Sequence, residues 1–510
     1  MLSVSDGGAL PPCPAPFNLA AYVLSRAGER ADRIALAVVG LSGAERWSYA
    51  RLRAAVLGTA AGLRAAGIGE GERVLLRLGN TVEFPIAFLG AIAAGIVPVP
   101  TSTQLTGREI TAIAREIGPA AILGGEGGIA LPDHPAPVIG EAALAAMRDM
   151  PPIEPVAGDP DRAAYIVYTS GTSGVPRAVV HAHRAVWARR MMWEGWYGLR
   201  EDDRLLHAGA FNWTYTLGTG LLDPWAIGAT ALIPAAGVTP VQLPMLMKRH
   251  DATIFAAAPG VYRQMLVAGP LPPLPKLRHG LSAGEKLPPT LWARWEAATG
   301  TAIHEAFGMS ECSTFVSGSP ARPAPDGTLG YPQPGRRVAV VGEDGAPLPH
   351  GETGTLAVHR DDPGLMLGYL GQPEETAARY RGAWFVTGDA AHMGRDGAIV
   401  YHGRTDDMMN AGGYRVSPVE VEAALLEHPE VREAAAVEVR VKAEASVIAA
   451  LYVAGTDLDA AALSAHMGER LARYKCPRLY VRVPELPRGA NGKLLRRRLR
   501  DDFEAQNGQA

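Results

Sequence analysis

The stretch Tyr168-Thr-Ser-Gly-Thr-Ser-Gly-Val-Pro-Arg177 decides how this chain is read. Its hydroxyls and glycines lie between a β-rich run, Ala163 to Tyr168, and a helical stretch, His183 to Met192. Such a loop can turn backbone N–H groups and side-chain hydroxyls onto a polyphosphate, with Arg177 as a fixed positive charge. It lacks the Gly-Lys-Ser/Thr ending of a Walker loop, which disfavours ordinary P-loop chemistry. By composition alone, the same residues also make a plain connection.

Outward from this loop, apolar β-rich runs are each followed by a helical pattern: Arg73 to Leu78 then Val82 to Ala94, and Thr253 to Ala257 then Gly260 to Val267. Alternation of this kind predicts parallel sheet covered by helices. The uncharged run Phe84 to Leu105 is broken by Gly90, Gly95, Pro98 and Pro100, and reads as a buried helix and strand rather than a membrane span. Pro132 to Pro155 and Leu271 to Pro275 read as surface connections. After about Tyr401 the texture changes: a helix near Val421 to Leu425, strands at Ala434 to Val441 and Val447 to Val453, and a helix at Leu463 to Leu471 form a smaller α+β unit. The fold class is thus α/β: a large N-terminal domain of layered sheets and helices, residues 1–404, and a small mobile α+β C-terminal domain, residues 408–510, joined by a hinge at 405–407.

At 510 residues the chain can build a sizeable core, and an apolar share of 47% with 20% charged residues leaves little room for long disorder. Lys plus Arg total 49 against 52 for Asp plus Glu, so no global field draws nucleic acid or an anionic membrane, and anions must be bound locally. Cys13, Cys312 and Cys476 have neither a disulfide framework nor zinc-ligand spacing, which fits a reducing, cytoplasmic setting, as does the lack of a secretion signal in Met1 to Pro16.

The order of residues from Tyr168 to Arg177 resembles the phosphate-binding signature of the adenylate-forming superfamily, which includes acyl- and aryl-CoA synthetases, adenylation domains of nonribosomal peptide synthetases and firefly luciferase. Further matches follow in order: Phe307-Gly-Met-Ser-Glu311, Thr387-Gly-Asp389, Gly403-Arg-Thr-Asp-Asp407, Gly412-Gly-Tyr-Arg415 and Asn491-Gly-Lys493. The similarity begins at Trp47-Ser-Tyr49 and Gly71-Glu-Arg-Val74 and covers nearly the whole chain. Arg177-Ala178 stands where Lys-Gly is commoner, keeping the charge but reducing backbone freedom.

The resemblance implies an ATP-dependent, AMP-forming acid–CoA ligase, similar to benzoate–CoA ligases. A carboxylate is first converted to acyl-AMP with release of pyrophosphate, then passed to the thiol of coenzyme A. It implies that Thr169, Ser170, Gly171, Thr172, Ser173, Gly174 and Arg177 hold the ATP phosphates, Ser310 the α-phosphate, and Glu311 the Mg²⁺. Gly284, Glu285, Glu305, Phe307, Asp389 and Arg404 would bind adenosine, Phe307 against the base and Asp389 on the ribose hydroxyls. Lys493 would neutralise charge growing on the phosphorus centre. Asp406 would be the hinge, and Gly412, Gly413, Tyr414 and Arg415 would border the CoA path. Taken singly, Phe307 is equally a core residue, Asp389 a turn, Gly403 to Asp407 a charged surface turn, and Lys493 part of the basic tail with Arg496, Arg497, Arg498 and Arg500.

For the acid, the family's pocket segments place Phe211, Trp213, Tyr215, Ala258, Ala283, Gly308 and Met309 on the wall, with core packing as the other reading of Trp213 and Tyr215. Relatives that activate amino acids carry Asp after the phenylalanine; Asn212 compensates a buried ammonium poorly, which favours an aromatic or medium-size monocarboxylate. The expected partners are the acid, ATP and CoA, with no nucleic acid and no integral membrane contact. A carrier-protein phosphopantetheine stays open as an alternative acceptor, and a homodimer stays open as the assembly. His181, His183 and His207 read as structural, and Cys312 as a place where thiol reagents would act.

Overall fold

The computed structural model describes residues 1–8, 10–169, 176–284, 287, 289–404, 409–411, 414–416, 418–442, 445–487 and 496–507. Its centre is a nine-stranded sheet. The strands Ile34–Val39, Thr230–Pro234, Arg204–His207, Ile254–Ala257, His279–Ala283 and Ile303–Met309 run parallel through its middle, as the strand–helix alternation implied. Ala44–Ser48 closes one edge antiparallel, and Ser313–Ser317 with Tyr331–Pro332 closes the other. These inner strands are mostly apolar and largely buried on both faces, the pattern of a sheet covered by helices.

A second, four-stranded parallel sheet takes in Arg73–Arg77 and Val97–Pro100. Between those strands runs the helix Glu83–Ala93, in which every residue from Phe84 to Ala93 is buried, so the uncharged run is core. Gly90 lets this helix approach Tyr49–Ala65: a Cβ there would lie 3.0 Å from the Thr59 methyl. Among the described residues no helix is long and apolar enough to cross a membrane. A six-stranded antiparallel sheet carries Trp384–Met393 and Ile399–Arg404. Pro132 to Pro155 is not wholly irregular, since Glu141–Met147 is a short helix.

The signature loop is not followed by a helix. Ala163–Thr169 pairs antiparallel with Arg177–Ala182, and the last pair is Thr169 with Arg177. The expectation of a strand-to-helix loop is therefore corrected. Arg-Ala-Val-Val-His-Ala is a β-branched, apolar run that forms a hairpin arm, and the helix waits until Arg184–Ala188.

The small C-terminal unit has its own core, in which Val421, Leu425, Leu463 and Met467 are buried. It contains the hairpin Met409–Ala411 and Tyr414–Val416, the helix Pro418–Leu426, the long hairpin Val431–Lys442 and Ala445–Ala454, and the helices Ala460–Gly468 and Arg496–Asn507.

Candidate active site

The C-terminal end of the central parallel strand Ile303–Met309 leads into the turn Ser310-Glu311-Cys312 and returns as Ser313–Ser317. This reversal is tight. A Cβ on Gly308 would lie 2.4 Å from the Ser313 carbonyl oxygen, so only glycine fits there. Ser313 adopts φ 65°, a left-handed conformation that costs a non-glycine residue energy. A buried guanidinium braces it: Arg189 Nη1 donates to Ser313 Oγ at 2.6 Å, while Nε and Nη2 grip the Asp223 carboxylate at 2.6–3.0 Å.

His181 fixes the same turn from below. Its Nε2 lies 2.8 Å from the Ser310 carbonyl oxygen, so Nε2 carries the hydrogen. Burial lowers its pKa to about 4, which keeps the ring neutral. Sequence alone reads His181 as structural; the structure makes it a direct support of Ser310. Cys312 is corrected as well. It is 0% exposed, and burial raises its thiol pKa well above the ordinary range, so it is shielded from reagents rather than open to them.

Glu311 is buried, and its Oε1 accepts the Tyr369 hydroxyl at 2.8 Å. The Arg177 guanidinium lies 5.1 Å from the centre of the Tyr369 ring and pairs with Glu375 at 2.7 Å. Burial and the Glu311 charge hold the Tyr369 hydroxyl protonated. One phenol thus ties together the candidate metal carboxylate and the candidate phosphate cation. Neither Tyr369 nor Arg189 stood out in the sequence.

Ser310, Glu311, Thr169 and Arg177 border a cavity of about 750 Å³, together with Asn212, Trp213, Tyr215, Ala283, Gly284, Gly308 and Met309. Gly284 has φ 96°, a value that favours glycine. Tyr215 donates to the Leu281 carbonyl oxygen at 3.1 Å and meets Trp213 edge-to-face at 5.2 Å, which fixes an aromatic wall. Two of the residues expected on this wall lie elsewhere. Phe211 is 1% exposed and stacks on Phe84 at 5.1 Å, held by Asn80, which accepts from the Phe211 N–H and donates to the Gly209 carbonyl oxygen. Ala258 is buried at the start of the helix Pro259–Val267. The consecutive residues Asn212 to Tyr215 line the cavity, whereas Phe211, held by Asn80, packs into the core.

The adenosine candidates form a second group. Phe307 meets Tyr401 at 5.4 Å and Phe315 at 5.5 Å; the Tyr401 hydroxyl donates to Asp389 Oδ1 at 3.3 Å, and Asp389 pairs in register with Arg404. Asp389 is 1% exposed. Glu305 accepts the Leu287 N–H at 2.8 Å. Tyr414 stacks on Tyr474 at 4.0 Å and lies 6.2 Å from Trp213, which brings the small domain to the cavity. Lys493, Ser170 to Gly174, Glu285, Asp406, Gly412 and Gly413 lie outside the described residues, as do the side chains of Arg404 and Arg415.

This arrangement unites anion-binding, aromatic and acidic groups in one cleft between a large and a small domain, the architecture of an adenylate-forming enzyme. Residues 24–370 match the AMP-binding enzyme family, and residues 420–493 match the AMP-binding enzyme C-terminal domain. The chain belongs to this family. It is 33% identical to benzoate–CoA ligase of Thauera aromatica over 98% of this chain and 99% of that protein. With 3-hydroxybenzoate–CoA ligase of Aromatoleum sp. it shares 32% over 92% and 94%, respectively. Among solved structures, a benzoate CoA ligase from Burkholderia xenovorans LB400 superposes with a TM-score of 0.70 at 31% identity, covering 95% of this chain and 100% of that one.

Proposed function

We propose that this enzyme activates an aromatic monocarboxylic acid of benzoate or hydroxybenzoate size. The chain is an ATP-dependent acid–CoA ligase of the adenylate-forming superfamily. In its first step a carboxylate oxygen attacks the α-phosphorus of ATP, the bond to the β-phosphate bridge breaks, and pyrophosphate leaves. In the second step the CoA sulfur attacks the acyl carbonyl, and AMP leaves as the thioester forms.

The meeting of two anions makes positioning and charge neutralisation the main tasks. Thr169 to Gly174 and Arg177 take the phosphates, Ser310 the α-phosphate, and Lys493 the charge that builds on the transferred phosphorus. Gly284, Glu285, Glu305, Phe307, Asp389 and Arg404 take the nucleoside. Glu311 fits a hard divalent cation: it offers a carboxylate to the cavity while Tyr369 fixes one of its oxygens. Mg²⁺ held there would offset phosphate charge. Rotation of residues 408–510 about Asp406 then exchanges Lys493 for a thiol path beside Gly412, Gly413, Tyr414 and Arg415. A cytoplasmic setting, reducing and supplied with ATP and CoA, suits its three free cysteines.

The observation that carries the substrate reading is the pairing of the Trp213–Tyr215 aromatic wall with neutral Asn212 in the cavity that holds Ser310 and Arg177. A flat apolar ring is matched by such a wall, and an α-ammonium finds no carboxylate at Asn212. An ATP–pyrophosphate exchange panel tests this. Benzoate and hydroxybenzoates should exceed α-amino acids in kcat/KM by at least about 100-fold. A preference for an amino acid would refute the reading, and acyl transfer to a carrier protein but not to CoA would reassign the acceptor.

A further inference from the structure

The helix Gly107–Ile117 of the large domain faces the small domain with two charged residues at its start. Glu109 closes the capping box with Thr106, taking the Thr106 N–H on Oε2 at 2.9 Å. Its other oxygen, Oε1, reaches across the domain boundary and accepts from Lys475 Nζ and from the Ala472 N–H, both at 3.2 Å. Lys475 also donates to Glu420 Oε1 at 2.7 Å, at the start of the helix Pro418–Leu426. Its side chain is 6% exposed and those of both carboxylates 12%. Burial opposes the ammonium charge, and Tyr474, Glu420 and Glu109 more than offset that cost. A second, exposed arm runs alongside: Arg108 is bidentate to Glu427 at 2.7 and 2.8 Å, and Glu427 accepts from Arg470 at 3.0 Å.

The buried arm leads directly to the acyl wall. Lys475 follows Tyr474, whose ring stacks on Tyr414, and Tyr414 in turn faces Trp213. Fixing Lys475 therefore fixes the strand Tyr414–Val416, and with it Tyr414, against the cavity.

We propose that Glu109 and Lys475 form an interdomain latch that holds the small domain in the orientation that accepts the thiol, and so act as positioning residues for thioester formation but not for adenylation. The proposal rests on the two-step reading above. It follows from where the bonds lie: in this orientation Tyr414, from the segment read as bordering the CoA path, faces Trp213 of the cavity, and because Glu109 belongs to the domain that stays with the substrate and Lys475 to the domain that rotates, any large rotation must part them. Removing Lys475 leaves the Glu109 and Glu420 carboxylates buried together without their cation, and removing the Glu109 charge leaves Lys475 held by Glu420 alone; either change weakens this orientation and shifts the population towards the other.

The two half-reactions are measured separately: acid-dependent pyrophosphate release in a single turnover, and thioester formation from supplied benzoyl-AMP and CoA. Lys475→Met should slow the second by about tenfold or more while leaving the first within about twofold of wild type. Glu109→Gln keeps an oxygen for the Thr106 cap and should give the same split with a smaller loss. Equal loss in both half-reactions, or no loss in either, in the Glu109→Gln enzyme with an unchanged melting midpoint would overturn the latch. Wild-type enzyme separates this from the wider reading: if it forms no acyl-AMP from any acid, the ligase reading falls and the latch with it, whereas two intact half-reactions in wild type and both variants sink the latch alone.

Discussion

Tyr369 donates its phenolic hydrogen to Glu311 Oε1 at 2.8 Å while its ring lies 5.1 Å from the Arg177 guanidinium. The two groups expected to meet the phosphate end of ATP are therefore set relative to one another by a third residue that needs no contact with the nucleotide. Glu375, about half exposed, balances Arg177 from the other side.

Tyr369→Phe keeps the ring under Arg177 and removes only the hydrogen bond to Glu311. Losing one bond to a charged group costs about 1.5–3 kcal/mol. We expect the apparent KM for Mg·ATP in pyrophosphate exchange to rise by about 10-fold, with the KM for the acid unchanged. A rise in the acid KM of the same size would mean that the substitution has deformed the cavity as a whole.

Five of the buried histidines make the fold sensitive to acid. Burial lowers the pKa of His181 and His304 to about 4 and of His183, His207 and His279 to about 3. In the unfolded chain they titrate near 6.5, so between that pH and about 4 the unfolded state binds more protons, and stability falls as pH falls. Each contributes about 1.4 kcal/mol per pH unit in that window, and the contribution is fully present above it. Thermal midpoints measured from pH 7.5 down to 5 should decline steeply below about pH 6.5. A flat profile over that range would show that these rings protonate in place.

Much of this was legible in the chain itself. Ordered motifs around Ser170, Glu311, Asp389, Asp406 and Lys493 carried the family, and alternating β-rich and helical runs carried the parallel sheet and the α+β tail. What escaped depends on contacts distant in sequence. His181 meets Ser310 across 129 positions and Tyr369 meets Glu311 across 58; neither pairing leaves a local pattern. Arg189 and Asp223 are ordinary charged residues until the fold buries them behind Ser313. Phe211 was misplaced because motif position gives the segment but not the direction of each side chain, which the Asn80 bridge sets. The strand after the signature loop is signalled by Val179 and Val180, whose branched side chains favour it.

The most direct test of the account uses Lys493→Ala in two incubations, with benzoyl-CoA read by mass spectrometry. Given benzoate, ATP and CoA, the variant should form at most about one-hundredth of the wild-type product, because charge on the reacting phosphorus goes uncompensated. Given benzoyl-AMP and CoA, it should form thioester at a rate near wild type. Comparable loss in both incubations, or undiminished product in the first, would contradict a cleft in which one lysine serves adenylation alone.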